Sequence, residues 1–119
     1  MFDASVPVLL IPGSDVQRLY NELLKISSRE RKKRLTIYVW MDSGKVEENI
    51  EKVKSIISLN HLLTMSFYVL RQDLEALKSH HPSHIYVVFP ETRREVAQGL
   101  IRQLSELGIQ AAEVVIPEL

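Results

Sequence analysis

The chain has 119 residues, 45% of them hydrophobic, and its fifteen basic residues balance fifteen acidic ones. This length and composition predict one folded domain, 1–119, around one hydrophobic core. A zero net charge excludes a global field that attracts nucleic acid or an anionic membrane. The absence of cysteine excludes disulfides, thiolate nucleophiles and cysteine metal sites. Because the first apolar run is too short for a signal peptide or a membrane span, we expect a soluble, cytoplasmic protein.

The first stretch, 6–24, predicts a strand, a tight turn and a helix. Residues 6–11 are apolar without alternation, which is typical of a central strand in a parallel sheet. Pro12 and Gly13 end this strand, and Ser14 with Gln17 matches a capping box at a helix start. The apolar stripe that predicts the helix is Val16, Leu19, Tyr20, Leu23 and Leu24.

A basic run lies where this helix is expected to end, near Ser27 or Ser28. Positive charge complements a helix carboxyl end, so the pattern is typical of a solvated terminus, with a nucleic-acid or targeting patch as the alternative. In a parallel sheet the run lies at the pole opposite the carboxyl ends of the strands. Nucleic-acid binding is therefore expected only through these residues: Arg29, Arg31, Lys32, Lys33 and Arg34.

The remaining chain repeats the alternation of strand and helix. Apolar and β-branched runs predict strands over 35–41, 62–70, 84–89 and 109–116, and apolar spacing predicts helices over 46–57, 73–80 and 92–107. For 62–70 a buried helix is the alternative, because short apolar runs are ambiguous. Thr92 with Glu95 predicts a second capping box, Gly108 a left-handed residue after the last helix, and Glu113 an edge strand.

The order β-α-β-α-β-α-β-α-β predicts an α/β fold: a three-layer, Rossmann-like or flavodoxin-like, doubly wound parallel sheet of five strands. Its third predicted helix is short and covers its part of the sheet poorly. We therefore expect a homo-oligomer, or a partner chain, over that helix.

Ligands of open α/β sheets bind outside the carboxyl ends of the strands, where several polar turns meet in this chain. Hydroxyl and backbone N–H groups there suit a phosphate or carboxylate, and an arginine adds a bidentate contact. The expected ligand-binding residues are Gly13, Ser14, Asp15, Asp42, Ser43, Arg71, Thr92 and Arg93.

Motifs for dinucleotide binding, a P-loop or a nucleophile elbow are missing from the sequence. We assign no catalytic set and no cofactor, and expect no metal at His80, His81 and His84. The sequence favours a non-catalytic, regulatory domain for a small anionic or nucleotide-like ligand. One alternative is an interaction or assembly subunit whose turns only cap helices. The other is a small hydrolase or phosphotransfer enzyme using Asp15 or Asp42.

Two family resemblances bear on this hypothesis. The size and element order resemble response-regulator receiver domains, but Ile11-Pro12-Gly13, Leu70-Arg71 and Ile116-Pro117 stand where that family needs its acidic pair, aspartate and lysine. The run from His81 through HIYVVFPET to Leu107-Gly108-Ile109, about a third of the chain, resembles a strand-helix-strand unit of CRISPR-associated Rossmann-fold sensor domains. Gly13-Ser14 is the counterpart of that family's small-residue turn. This resemblance implies nucleotide sensing, with cyclic oligoadenylates bound by a homodimer.

Overall fold

A computed structural model describes residues 5–12, 16–32, 34–41, 51, 55, 64–71 and 74–117. Five strands and three helices have defined bounds there. The strands are β1 (Val6–Leu10), β2 (Arg34–Trp40), β3 (Thr64–Leu70), β4 (His84–Pro90) and β5 (Gln110–Ile116). The helices are α1 (Val16–Glu30), α2 (Glu75–His80) and α3 (Arg94–Glu106), with a 3-10 turn at Glu91–Arg93.

All strands pair in parallel in one sheet, in the order β3-β2-β1-β4-β5. The chain first moves outward from β1 to β3, then crosses back to the other side of β1 for β4 and β5. Right-handed crossovers place the helices of these two halves on opposite faces. The predicted doubly wound α/β sheet is confirmed, and the strand order is that of the first five strands of a Rossmann sheet.

Two apolar clusters fill the spaces between the sheet and its helices. On one face, α1 buries Leu23 and Ile26 against Val8 of β1 and Ile37 of β2. On the other face, α2 and α3 pack on alternate residues of the same strands, and the buried members of this cluster include Leu9, Val87, Leu77, Ala97 and Leu100. The central strands are thus buried on both sides, which explains why their sequences lack alternation.

Several predicted elements agree with the structure, and others need correction. Residues 64–70 form a strand, so the alternative of a buried helix there is wrong. Helix α2 is short, as the sequence predicts, and its six residues begin at Glu75, two residues later than predicted. Glu51 and Ser55 are helical, while the rest of the predicted helix over 46–57 lies outside the described residues, as does Ser14 of the first capping box.

The capping box predicted at Thr92 and Glu95 is wrong. Thr92 lies inside the 3-10 turn, and α3 begins one residue later with Arg93 as its N-cap and without a side-chain capping hydrogen bond. The chain leaves β4 through Pro90, whose fixed φ suits the start of a tight turn. The tighter turn shifts the first helical residue and so removes Thr92 from the capping position.

Helix α1 continues to Glu30, beyond the predicted end at Ser27 or Ser28. Arg31 takes a left-handed φ of 54° and donates its N–H to the Ser28 carbonyl, and Lys32 donates to that of Ser27. This pair of bonds is a Schellman motif. The Ser27 hydroxyl also donates to the Lys32 carbonyl. The carbonyls of Ser27 and Ser28 and the Ser27 hydroxyl therefore form the hydrogen bonds that end the helix, although both residues still belong to it.

Candidate functional site

The strand order reverses between β1 and β4, and the carboxyl ends of two such strands are where open α/β sheets form a ligand crevice. These strands are neighbours, with Leu10 aligned to Val88, and the Ile11 N–H donates to the Val88 carbonyl at 2.9 Å. The helix that follows β1 packs on one face of the sheet, and the helix that follows β4 packs on the other. In open α/β sheets the connections diverge at such a point, and this is where a ligand usually binds.

The structure separates the predicted site residues that it describes. Thr92 is exposed and Arg93 half-buried, both directly after β4 at the crevice. Arg71 is exposed after β3, at the far edge of the sheet. Three strand spacings, roughly 14 Å, lie between the ends of β3 and β4. Of the two arginines, Arg93 is therefore the closer to the crevice. The other predicted site residues lie outside the described residues: Gly13, Ser14, Asp15, Asp42 and Ser43.

Trp40 is a candidate ligand-binding residue that the sequence pattern did not predict. It ends β2, one strand from β1, and packs on the cluster formed by α2 and α3. Its indole Nε1 is buried without a hydrogen-bond acceptor among the described residues. A buried indole N–H normally finds a partner, so this donor marks Trp40 as a candidate contact for a bound group. The only signal in the sequence was a lone tryptophan at the end of a strand.

Two further arginines at this edge make contacts within the fold. The guanidinium of Arg94 lies 5.7 Å from the ring centre of Phe89, a cation–π contact. Nη1 of Arg18 donates to the Pro117 carbonyl at 2.5 Å and ties the first turns of α1 to the end of β5. These contacts fix the helices that flank the crevice.

A cavity of about 720 Å³ lies at the opposite, amino-terminal edge of the sheet. Its volume is in the range of small-molecule sites. One end contains three rings: Tyr38 stacks on Tyr68 with centroids 5.5 Å apart, and His80 meets the Tyr68 ring edge-on at 4.9 Å. Lys32 and Tyr86 line the cavity as well. The cavity therefore combines aromatic surface with a cation.

The polar groups of this cavity are bound to one another. The Tyr38 hydroxyl and Nδ1 of His80 are 2.6 Å apart, and the Tyr86 hydroxyl donates to the Glu30 carboxylate at 2.5 Å. Burial, and secondarily the neighbouring Tyr68, raise the pKa of Tyr38. The hydrogen bond to Glu30 is the main cause that raises the pKa of Tyr86. Both phenols thus stay protonated, and that of Tyr86 acts as a donor.

The basic run also lies at the amino-terminal edge. Arg29 is in the last turn of α1, Arg31 and Lys32 close the helix, and Arg34 begins β2, all with exposed side chains. Lys33 lies outside the described residues. The basic run is therefore at the pole opposite Arg93, and one small ligand does not contact both.

No model of a known protein family matches the chain, and no curated protein matches it. The resemblance to nucleotide sensors continues to rest on the pattern over 81–109 alone. In the part of the chain that the structure describes, no helix combines the length and apolar character needed to cross a membrane.

Proposed function

We propose that the chain is a non-catalytic regulatory domain that binds a small anionic, nucleotide-like ligand at the carboxyl ends of β1 and β4. The observation that carries this proposal is the reversal of strand order between these two strands. In open α/β sheets that reversal is the usual position of a ligand. A regulatory role, rather than an enzymatic one, follows from the lack of a recognisable nucleophile-base pair in the sequence.

The described residues at the crevice supply donors that suit an anion. Arg93 offers a guanidinium, which binds phosphate and carboxylate in bidentate fashion. Trp40 offers a buried N–H without an acceptor among the described residues, and its ring offers a flat apolar surface one strand away. A phosphate attached to a planar base uses both kinds of group. This combination favours a nucleotide-like ligand over a bare anion.

Thermal unfolding in the presence of inorganic phosphate, adenosine monophosphate and a cyclic oligoadenylate tests the proposal. A ligand at one hundred times its dissociation constant stabilises the folded protein by about 2.7 kcal/mol. The cyclic oligoadenylate is included because of the resemblance over 81–109. We expect at least one nucleotide to raise the melting temperature more than phosphate does.

Variants then locate the site. Arg93→Ala removes a charge-assisted hydrogen bond worth about 1.5–3 kcal/mol, so we expect roughly tenfold to hundredfold weaker binding. Trp40→Phe keeps an aromatic ring and removes only the N–H donor, and should weaken binding less, by about 1 kcal/mol. For each variant, the melting temperature with ligand is measured relative to that without ligand, and these shifts are compared between variants. Changes in the stability of the free protein then cancel.

Arg102→Ala is the matched control. Arg102 is exposed on α3, the helix that Arg93 caps, but about 13.5 Å further along its axis. The control should bind like the wild type. If none of the three compounds changes the melting temperature, or if both arginine variants lose binding equally, the proposed site at the crevice is wrong.

The cavity at the amino-terminal edge is the second candidate location, because it combines the Tyr38–Tyr68 stack with Lys32. A ligand bound there would lose affinity in Tyr68→Ala and Lys32→Ala and keep it in Arg93→Ala. The same ligand titration, repeated with these variants, therefore assigns the ligand to one pole of the sheet.

A further inference from the structure

The two edge strands of the sheet differ in their protection against pairing with another strand. β5 carries a charged residue, Glu113, which is exposed and accepts a hydrogen bond from Gln98 of α3. β3 has no charged residue along its seven positions, TMSFYVL. Among the described residues, the two large hydrophobic side chains that are exposed, Tyr68 at 40% and Val69 at 44%, both lie on β3. Natural edge strands are commonly protected by charge, so β3 is the unprotected edge.

The backbone of β3 has a defined set of hydrogen-bonding groups that point away from β2. The Leu70 carbonyl accepts the Met41 N–H at 2.9 Å, so the backbone groups of Leu70 point toward β2. In a strand the N–H and C=O groups of successive residues alternate in direction. Those of Met65, Phe67 and Val69 consequently point away from β2, at the outer side, where no strand pairs with β3 among the described residues.

We propose that β3 pairs in antiparallel fashion with β3 of a second copy of this chain, about a twofold axis at Phe67. Phe67 then lies opposite Phe67 of the second copy, and Met65 lies opposite Val69. All three facing pairs are formed by residues whose backbone groups point outward, so about six hydrogen bonds form. A register centred on Ser66 or Tyr68 leaves outward groups without partners and gives about four. The two five-stranded sheets join into one continuous sheet.

The side chains agree with this register. A twofold axis perpendicular to the sheet keeps the same face of both copies together. Met65 and Phe67 pack on the cluster beside α1, and Val69 has the same orientation by alternation. The pairing therefore places one phenylalanine pair at the centre, with a Met65–Val69 pair on each side. Cross-strand pairs of this kind stabilise antiparallel strands.

A second copy fits this edge better than a charged partner does. Because β3 is uncharged, twofold symmetry places no like charges opposite each other. The outward backbone groups at 65, 67 and 69 are also symmetric about the central residue, as an isologous contact requires. The chain as a whole has no formal net charge at pH 7, so the two copies do not repel each other at long range.

Single cysteines test the register, since the chain has none of its own. In the proposed pair the two Phe67 Cα atoms are about 5.5 Å apart, within the range of a disulfide. Oxidised Phe67→Cys protein should run as a covalent dimer on a non-reducing gel. Val69→Cys is the matched control: its two copies are about 13 Å apart, so it should stay monomeric on that gel.

A mixture of Met65→Cys and Val69→Cys proteins, one of them carrying a size tag, provides the second test. These residues face each other in the proposed register, so the tagged and untagged chains should cross-link together, and neither should cross-link with itself. This arm does not depend on replacing the half-buried Phe67. Cross-linking of Val69→Cys with itself, or absence of cross-links in both arms, would overturn the register.

Sedimentation of the protein without cysteines tests the association itself. The wild type should be dimeric. Val69→Pro removes an outward N–H that is not used in pairing with β2, so it should give a folded monomer, as judged by an unchanged circular dichroism spectrum. Val69→Thr keeps the N–H and the branched shape and should remain dimeric. A monomeric wild type at submillimolar concentration refutes the proposal and leaves the β3 edge to a different partner.

Discussion

At the scale of single residues, the contact between Tyr38 and His80 joins positions 42 apart in the sequence. The sequence predicts Tyr38 as a strand residue and His80 as a helix end, both correctly, but nothing in either pattern indicates their contact. The contact depends on how far the short α2 reaches along the sheet. The same holds for Trp40: its burial follows from its strand, whereas the lack of an acceptor among the described residues depends on three-dimensional neighbours.

Replacing Tyr38 with phenylalanine should have an effect that depends on pH. Burial raises the pKa of Tyr38 above the ordinary value of 10.0, so above that pH the unfolded chain releases this proton first. Its contribution to stability is therefore complete below pH 10 and is lost as the pH rises through the raised pKa. At pH 7 Tyr38→Phe should cost about 1 kcal/mol, the value of one hydrogen bond, because the exposed His80 can bind water instead.

Above pH 10 the difference between wild type and Tyr38→Phe should become smaller, since only the wild type loses this contribution. Urea unfolding at pH 7 and at several values above 10 measures both free energies of unfolding. If the free energies of unfolding of the wild type and of Tyr38→Phe change in parallel with pH over that range, the Tyr38 phenol ionises equally in the folded and unfolded states, contrary to this prediction.

At the scale of elements, all three described helices end on a left-handed residue, but only one of these is glycine. Gly108 has φ 81°, as its position after the last apolar stripe predicts. Arg31 and His81 have φ values of 54° and 44°. The sequence has no glycine at these two ends, so the pattern predicted a helix end for α1 that was too early by two or three residues.

Arg31→Gly should stabilise the protein. A side chain in the left-handed region costs about 1–2 kcal/mol, and glycine avoids most of this cost. We expect a gain of about 1 kcal/mol, or about 4 °C in melting temperature for a chain of this size. Arg31→Ala removes the same charge but keeps Cβ, so it should leave the melting temperature nearly unchanged. If both variants gain equally, the charge rather than the φ angle is responsible.

The two edge strands, β5 and β3, show when the sequence of a strand predicts its position in the sheet and when it does not. The charge of Glu113 predicted an edge position for β5, and the strand order confirms it. The apolar β3 gave no such indication, because its composition is also that of a buried strand. Its edge position follows from where the chain reverses direction, after the third strand, and strand order is not encoded in the pattern of any one strand.

At the scale of the whole molecule, the fold class follows from the alternation of strands and helices, because right-handed crossovers leave few arrangements for it. The location of the proposed ligand site can be predicted less completely. Residues after β1, β2, β3 and β4 all lie at one edge, yet the order of the strands decides which of them are close. Arg71 and Arg93 each follow a strand in the sequence, but the two strands, β3 and β4, are three positions apart in the sheet.

An increase in salt concentration should affect the two proposed binding surfaces of the molecule differently. The β3 edge is uncharged and the chain has no net charge, so the dimer should keep its affinity within about twofold between low salt and 0.5 M, where screening of exposed charges is nearly complete. Binding of an anion near Arg93 depends on charge and should weaken severalfold over the same range. Sedimentation and ligand titration at matched salt concentrations measure the two. A dimer that dissociates as salt rises would be held by charged groups and therefore not by β3.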